Sequence, residues 1–389
     1  MVQSASLFSQ ALSLIDRRKF NNAVIETASE HAAKGFGSWD HLVSMLFCQM
    51  ASADSLREIC GGLSTAAGKL VHLGMSGMPC RSTLAYANGH RPSKLFEQVF
   101  YDLLGQASAL AGLQKRRFRF KNPLRSIDST TIELCLALYD WAKFRRTKGA
   151  VKLHLMLDHQ GCLPKWVLIT DGKTHDVRAA WLLSLDPGTI VAMDRGYVDY
   201  ALFARWTKQD VWFVTRAKDN MAYRVVADRP LPERAGNILH DQEIELTGYQ
   251  ARQDCPHRLR RVVVWDEEKQ REIVLLTNNM KFSARTIAAI YKDRWQIELF
   301  FKAIKQNLKI KTFVGTSRNA VEIQIWTALI GILLLRILQL RSSFGWSLSN
   351  LAAMLRFNLL TYRDLWRWID DPYPAEPQIP PGSQMFLFS

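Results

Sequence analysis

The chain has 389 residues and carries 51 Lys and Arg against 36 Asp and Glu, a formal net charge of +15. With 48% hydrophobic and 22% charged residues it has the material for a packed core, which excludes a disordered basic tail. The six cysteines, Cys48, Cys60, Cys80, Cys135, Cys162 and Cys255, form no Cys-x-x-Cys pair, which argues against a zinc cage or a disulfide framework. The opening Met-Val-Gln-Ser-Ala-Ser lacks the marks of a secretory leader, and the longest apolar run, Ile325 to Leu335, falls short of the ~18 residues a membrane span requires. The expectation is a cytoplasmic chain without membrane contact, for which nucleic acid is the favoured polyanion.

Residues 1–112 read as helical. Leu42, Met45, Leu46, Gln49 and Met50 keep a helical period after a Ser38 N-cap. Short helices at Ser55 to Cys60 and Ser82 to Asn88 are separated by a run of glycines. The second presents Ser82, Thr83, Tyr86, Asn88, His90 and Arg91, donors suited to a recognition helix. An ordinary small helical domain with a polar face is the alternative. Lys115, Arg116, Arg117, Arg119, Lys121 and Arg125 then crowd a basic linker or edge strand. Strands follow at Leu124 to Ile127, Ala150 to Asp158 and Leu163 to Thr170, a helix at Asp176 to Ser184, a strand at Thr189 to Met193, a helix at Tyr200 to Gln209 and a strand at Val211 to Thr215. The order β-β-β-α-β-α-β fits a ribonuclease H-like fold among other α/β layouts.

Segments at Tyr223 to Ala227, Glu243 to Leu246, Arg258 to Trp265 and Glu272 to Thr277 read as a β-rich insertion. A long helix runs from a Ser283 cap to Asn307, another from Thr316 to Leu340, and a helical stretch from Ser349 to Ile369. The chain thus divides into a helical N-terminal DNA-binding domain (1–112), the first part of an α/β core (113–222), the insertion (223–280), the last core helix (281–312), a helical C-terminal region (313–370) and a Pro-rich extended tail (371–389).

Asp128 ends Arg-Ser-Ile-Asp, directly after a short apolar strand, and Asp194 ends Ile-Val-Ala-Met-Asp in the same way, followed by Arg195, Gly196 and Tyr197. A carboxylate closing an apolar, central strand is costly to bury unless it is paired or binds a cation. On the helix after Ser283, Tyr291, Glu298 and Lys305 lie within about 40° of one line, Arg294 lies to the side, and Ile297, Phe301, Ile304 and Leu308 form a separate apolar stripe. Three carboxylates, Asp128, Asp194 and Glu298, with few histidines nearby, suit two Mg²⁺ or Mn²⁺ ions that clamp an in-line phosphoryl displacement. Capping or salt-bridge roles are the alternatives for each residue alone. The cluster Lys143, Arg145, Arg146, Lys148 and Lys152 suits a DNA-backbone track, the alternative being a solvated hairpin. Asp171-Gly-Lys-Thr174 is no nucleotide loop, because Val167 stands where a Gly is needed, and His175 is expected at the surface or in a cap.

Tyr291, Arg294, Glu298 and Lys305, at their spacing, match the Tyr-Arg-Glu-Lys signature of bacterial insertion-sequence transposases of the insertion-sequence-four family, a branch of the DDE transposases. Asp128 in Ile-Asp-Ser-Thr and Asp194 in Asp-Arg-Gly-Tyr resemble the contexts of that family's two aspartates, and the resemblance extends over nearly the whole chain. It implies a ribonuclease H-like core with a β-rich insertion and a metal-dependent enzyme that cuts transposon ends and joins the 3′-OH to target DNA. It further implies double-stranded DNA as partner, a homodimer on paired ends, and DNA contacts from Tyr291, Arg294, Lys305 and Arg195. Some relatives hold a flipped base with a Trp in the last insertion strand; this chain has Ile273 there, with Trp265 as a substitute. A metallonuclease of the same fold without strand transfer, and a non-catalytic DNA-binding regulator, are the competing readings.

Overall fold

A computed structural model describes residues 5–31, 33, 35–66, 68–143, 149–231, 236–310 and 312–373. Six helices open the chain: α1 Leu7–Leu12, α2 Arg17–Glu26, α3 Ser38–Ala51, α4 Leu56–Ser64, α5 Arg81–His90 and α6 Ser93–Gly112. Strands β1 Leu124–Leu134, β2 Gly149–Asp158 and β3 Leu163–Asp171 follow, then α7 Asp176–Trp181, β4 Ile190–Met193, α8 Tyr200–Lys208 and β5 Trp212–Arg216. Next come β6 Tyr223–Asp228, β7 Ile238–Leu246, α9 Tyr249–Asp254, β8 Leu259–Asp266 and β9 Arg271–Thr277. Helices α10 Ala284–Asp293, α11 Trp295–Asn307, α12 Arg318–Arg341, α13 Leu348–Asn358 and α14 Leu365–Asp370 complete it. The expected tail beyond Tyr373 lies outside the described residues.

All nine strands form one sheet in the order β3-β2-β1-β4-β5-β9-β8-β7-β6. The β3-β2-β1 meander is antiparallel, while β4 and β5 run parallel to β1. The segment expected as an insertion is continuous with this sheet, since β9 pairs with β5 through Val214–Thr277, Thr215–Leu276 and Arg216–Leu275. Its second strand begins at Ile238, earlier than the polar run His240 to Gln242 suggested, because those residues pair with Arg261 to Val263 of β8.

The alternation of side chains along each strand sorts two cores onto the two faces. Leu124, Ile190, Ala192, Val214 and Leu275 pack with Ile287 and Ile290 of α10 on one face. Ile127, Val191, Met193, Phe213 and Leu276 pack with Leu202, Phe203 and Trp206 of α8 on the other. Strands buried on both sides read as continuous apolar runs, which is why β4 is the plain sequence Ile-Val-Ala-Met.

The N-terminal and C-terminal helices are not separate packing units: Leu42, Leu46, Phe96, Phe100, Leu329, Leu333, Leu351 and Leu365 share one core, which also takes in Ile297 and Phe300 of α11 and Leu155 of β2. Helix α12 is long and apolar enough by composition to cross a membrane, but 89% of its apolar window is buried inside the protein. Two fully buried glutamines interrupt these apolar runs for a reason. Gln324 donates to the carbonyls of Lys309 and Thr312 (2.7 Å each) and accepts from Val314 N–H (2.9 Å), while Gln49 accepts from Lys309 N–H (2.8 Å). They satisfy backbone groups of the turn between α11 and α12 from the buried side.

Several local expectations are corrected. Gly37, not Ser38, caps α3, because carboxylates do the work: Gly37 N–H donates to Asp40 and Ser38 N–H donates to Glu30 Oε1 at 2.6 Å. The polar face expected of α5 is divided. Asn88 is buried against His41 (2.7 Å), whose pKa burial pushes down to about 3, and Arg91 donates to the carbonyls of Ser29, Phe36 and Gly37. Only Ser82, Tyr86 and His90 remain exposed there, with Thr83 half-buried. The basic segment before β1 is an irregular linker rather than an edge strand. The C-terminal stretch is two helices, α13 and α14.

Inside the sheet, Arg260 of β8 and Asp241 of β7 form a bidentate pair at 2.7 Å for both contacts, 1% and 5% exposed. Arg260 Nη1 also donates to the carbonyls of Asn279 and Phe282 (3.1 and 2.6 Å), tying the sheet to the entry of α10.

Candidate active site

The parallel register of β1 and β4 pairs Ile127 with Met193 as its last step. The residues that follow are Asp128 and Asp194, so the two carboxylates leave neighbouring strands abreast. By alternation both face the α10 and α11 side of the sheet, since Ile127 and Met193 face α8. Asp128 is not at a strand end, as its sequence context suggested. β1 runs on to Leu134 against β2, with Asp128 opposite Leu155, and only the pairing with β4 stops there. The β-branched Thr130, Thr131 and Ile132 sustain that longer strand.

Asp194 bends the chain out of β4: its Oδ1 accepts from Gly196 N–H at 2.7 Å and caps a short 3-10 turn, Arg195–Tyr197. A Cβ on Gly196 would lie 3.0 Å from that same oxygen, which accounts for glycine at this position. Asp128 Oδ1 accepts from Ser129 N–H at 2.8 Å. Burial pushes the Asp128 carboxyl up to about 6; the Ser129 N–H and Arg294 oppose the shift, and the charges of Asp194 and Glu298 add to it. The charges of Asp194 and Glu298 therefore both reach Asp128.

The helix expected over Ser283 to Asn307 is divided into α10 and α11 by a single turn residue, Arg294, whose own dihedrals stay helical (φ −49°, ψ −30°). Arg294 Nη2 donates to Glu298 Oε1 at 2.7 Å, and its guanidinium lies 5.7 Å from the centre of the Tyr291 ring. Burial alone would lower the Arg294 pKa, but the bond to Glu298 and the charges of Tyr291, Glu298 and Asp128 raise it. Burial raises the Tyr291 pKa, and Arg294 and Arg216 oppose it. Lys305 is half-buried in the last turn of α11.

Among the described residues no three His, Cys, Asp or Glu side chains are drawn close enough together to hold a metal ion as they stand. Glu298 is turned to Arg294 instead. The donor set nonetheless fits a hard divalent cation: three carboxylates with only oxygen to offer, one of them carrying a raised proton affinity that a cation would relieve.

Of the other expected residues, Arg195 is half-exposed and bonded to Asp219 at 2.9 Å. Arg145, Arg146 and Lys148 lie outside the described residues. His175 is exposed at the N-cap of α7, without a side-chain cap bond. A polar group that the sequence order did not reveal lies behind β1: Asp176 accepts from Ser129 Oγ (2.6 Å) and Lys152 Nζ (3.2 Å), with His154 Nδ1 at 3.5 Å. Its members come from three separate elements, α7, β1 and β2, and the alternating Lys152-Leu-His154 of β2 was a local signal for two of them.

A cavity of about 930 Å³ opens beside Tyr291 and Arg294, between α10 and the β8–β9 end of the sheet. Arg117, Arg216, Lys269, Arg271, Arg285 and Lys292 line it, with Trp265, Ile273 and Trp295; Asp266, Glu267, Glu268 and Asp293 are its acids. Cations with aromatic side chains suit a phosphodiester chain.

A family model described as "Transposase DDE domain" matches residues 119–334, and one described as "Domain of unknown function (DUF4372)" matches residues 3–76. The chain is 35% identical over 284 residues to "Putative transposase y4zB" of Sinorhizobium fredii, covering 72% of this chain and 78% of that one. It is 33% identical over 273 residues to "Probable transposase for insertion sequence element IS5377" of Geobacillus stearothermophilus, covering 68% and 71%. A solved piggyBac transposase synaptic complex with hairpin DNA is a remote likeness, at 10% identity and a TM-score of 0.41 over 97% of this chain and 86% of that chain.

Proposed function

The chain belongs to the transposases of the DDE type, and from that premise we propose that it binds the ends of its insertion sequence, cuts them and joins the freed 3′-OH to target DNA, with Asp128, Asp194 and Glu298 as the catalytic carboxylates. The observation that carries this reading is the register that sets Asp128 and Asp194 abreast, on the sheet face covered by the helices that bear Tyr291, Arg294 and Glu298. The strand order β3-β2-β1-β4-β5, antiparallel then parallel, supports a ribonuclease H-like core, with β6 to β9 as the insertion that extends it. The Tyr291, Arg294, Glu298 and Lys305 spacing supports placement in the insertion-sequence-four family.

In this reading Asp128, Asp194 and Glu298 would hold two Mg²⁺ or Mn²⁺ ions, which would supply charge stabilisation for phosphoryl displacement. Glu298 would leave Arg294 to serve there, and the guanidinium, beside Tyr291, would then take a DNA phosphate. Gly196 N–H keeps Asp194 oriented. Arg195 and Lys305, with Arg145, Arg146 and Lys148, serve the DNA backbone. A homodimer on paired ends in the cytoplasm completes the proposal.

The test is incubation of purified protein with a labelled terminus of its own element, a target duplex and Mg²⁺. Wild type is expected to cut and join, and Asp194→Ala or Glu298→Ala to lose at least roughly a hundredfold in rate, beyond what residues surrounding a metal usually contribute. Cleavage that survives either change overturns the carboxylate assignment; cutting without joining favours the metallonuclease. Gly196→Ala is a milder case. Its Cβ crowds Asp194 Oδ1, so cleavage should fall roughly tenfold with the melting temperature nearly unchanged; an unaltered rate would count against Asp194 as a positioned ligand.

A further inference from the structure

A second buried polar chain lies beside the carboxylates. Ser126 Oγ is 2.7 Å from His159 Nε2, and His159 Nδ1 is 2.6 Å from Asp293 Oδ2. A carboxylate only accepts, so the ring donates from Nδ1 to Asp293, and Nε2 shares the remaining bond with the Ser126 hydroxyl. Arg117 of the basic linker closes the chain as an ion pair on Asp293 Oδ1. The order Ser-His-Asp is that of a hydrolase triad, but Ser126 is 0% exposed and can reach no substrate. Its three members instead join three elements. Ser126 stands two residues before Asp128 on the same face of β1, His159 sits in the β2–β3 turn, and Asp293 ends α10 directly before Arg294. The turn itself is anchored: His159 N–H donates to Leu124 O at 3.0 Å, Gln160 Nε2 donates to Ala111 O at 3.0 Å, and Gly161, at φ +79°, packs where a Cβ would lie 2.5 Å from Ala111.

We propose that Ser126, His159 and Asp293 are positioning residues that set where Arg294 and Glu298 stand relative to Asp128, and so fix the spacing of the first and third carboxylates. Burying such a chain costs desolvation that an apolar contact of the same shape would not, so what it contributes is orientation. The backbone stays helical through Arg294 (φ −49°, ψ −30°), whose N–H donates to Ile290 O at 3.2 Å, so a contact that fixes Asp293 at the end of α10 also bears on where Arg294 and Glu298 stand. The inference rests on the three-carboxylate reading, and it predicts an effect on metal use rather than on DNA binding.

The experiment compares wild type with His159→Ala, and with His159→Gln and Asp293→Asn, which keep most of the volume. Uptake of Mn²⁺ in the presence of an end duplex is followed by the EPR signal of the free ion, alongside cleavage as a function of Mg²⁺ or Mn²⁺ and binding of the duplex without metal. The expected result is a roughly tenfold to hundredfold weaker Mn²⁺ affinity and a higher half-saturating Mg²⁺ concentration. Mn²⁺ should support more of the cleavage than Mg²⁺, which demands near-ideal octahedral geometry. Duplex binding should be unchanged. A purely structural role would lower the active fraction and the melting temperature but leave metal affinity and the Mg²⁺/Mn²⁺ ratio at wild-type values, and that result in the two volume-keeping variants overturns the proposal. If wild type takes up Mn²⁺ but cuts nothing, the proposed function fails while the Mn²⁺ affinities still decide this inference; a wild type that takes up none overturns both.

Discussion

Asp128→Asn is expected to abolish cleavage and, in the absence of divalent metal, to raise the melting temperature at pH 7.5 by several degrees. The carboxyl of Asp128 is held at about 6 in the folded protein, against an ordinary 3.8, by burial first and then by Asp194 and Glu298. The native state therefore binds the proton more tightly than the unfolded chain. The stability it contributes is fully present below about pH 3.8, falls as pH rises to about 6, and is absent above that. At pH 7.5 the ionised group costs up to about 3 kcal/mol, which the neutral amide removes. The gain should shrink towards zero near pH 4 and reverse in Mg²⁺, because a cation bound by the wild type stabilises only the protein that can hold it. Melting curves at the two pH values, with and without Mg²⁺, check this. A variant that melts below wild type at pH 7.5 without metal would show that the raised proton affinity is not a feature of the folded site.

Arg260→Ala should be the most damaging change away from the carboxylates. It leaves Asp241 charged and buried, and it frees the carbonyls of Asn279 and Phe282 that position the start of α10. Removing one partner of such a pair typically costs about 3–5 kcal/mol. Denaturant unfolding should show that loss, and Arg260→Ala with Asp241→Ala should recover part of it. A single variant with wild-type stability would mean the pair is not desolvated in solution. Because α10 leads into Arg294 and Glu298, the same change is expected to weaken cleavage before the protein unfolds.

The strands around the site were legible because apolar runs ending in Asp are a local signal. Ile190–Met193 followed by Asp194 needs no partner to be recognised, and the four-residue spacing of Arg294 and Glu298 already sets them one helical turn apart. Asp128 was harder. Its strand continues through Ser129 and Thr130, polar residues that pair with β2, and pairing is a property of two segments rather than one. The same limit hid the entry of β7 and the fate of Asn88 and Arg91, whose donors look free until His41 and the carbonyls of Ser29, Phe36 and Gly37 are brought to them.

What the chain determines on its own is the set of parts: a basic surplus, an alternation of apolar strands with helices, and three acids in an order that resembles DDE enzymes. Tertiary structure alone decided that Asp128 and Asp194 leave their strands side by side and that Ser126, His159 and Asp293 meet. Composition and periodicity act over a few residues and survive in any window of sequence. Register and convergence depend on contacts between residues far apart in the chain, and burial gives those contacts their energy only once the sheet and the helices above it have closed.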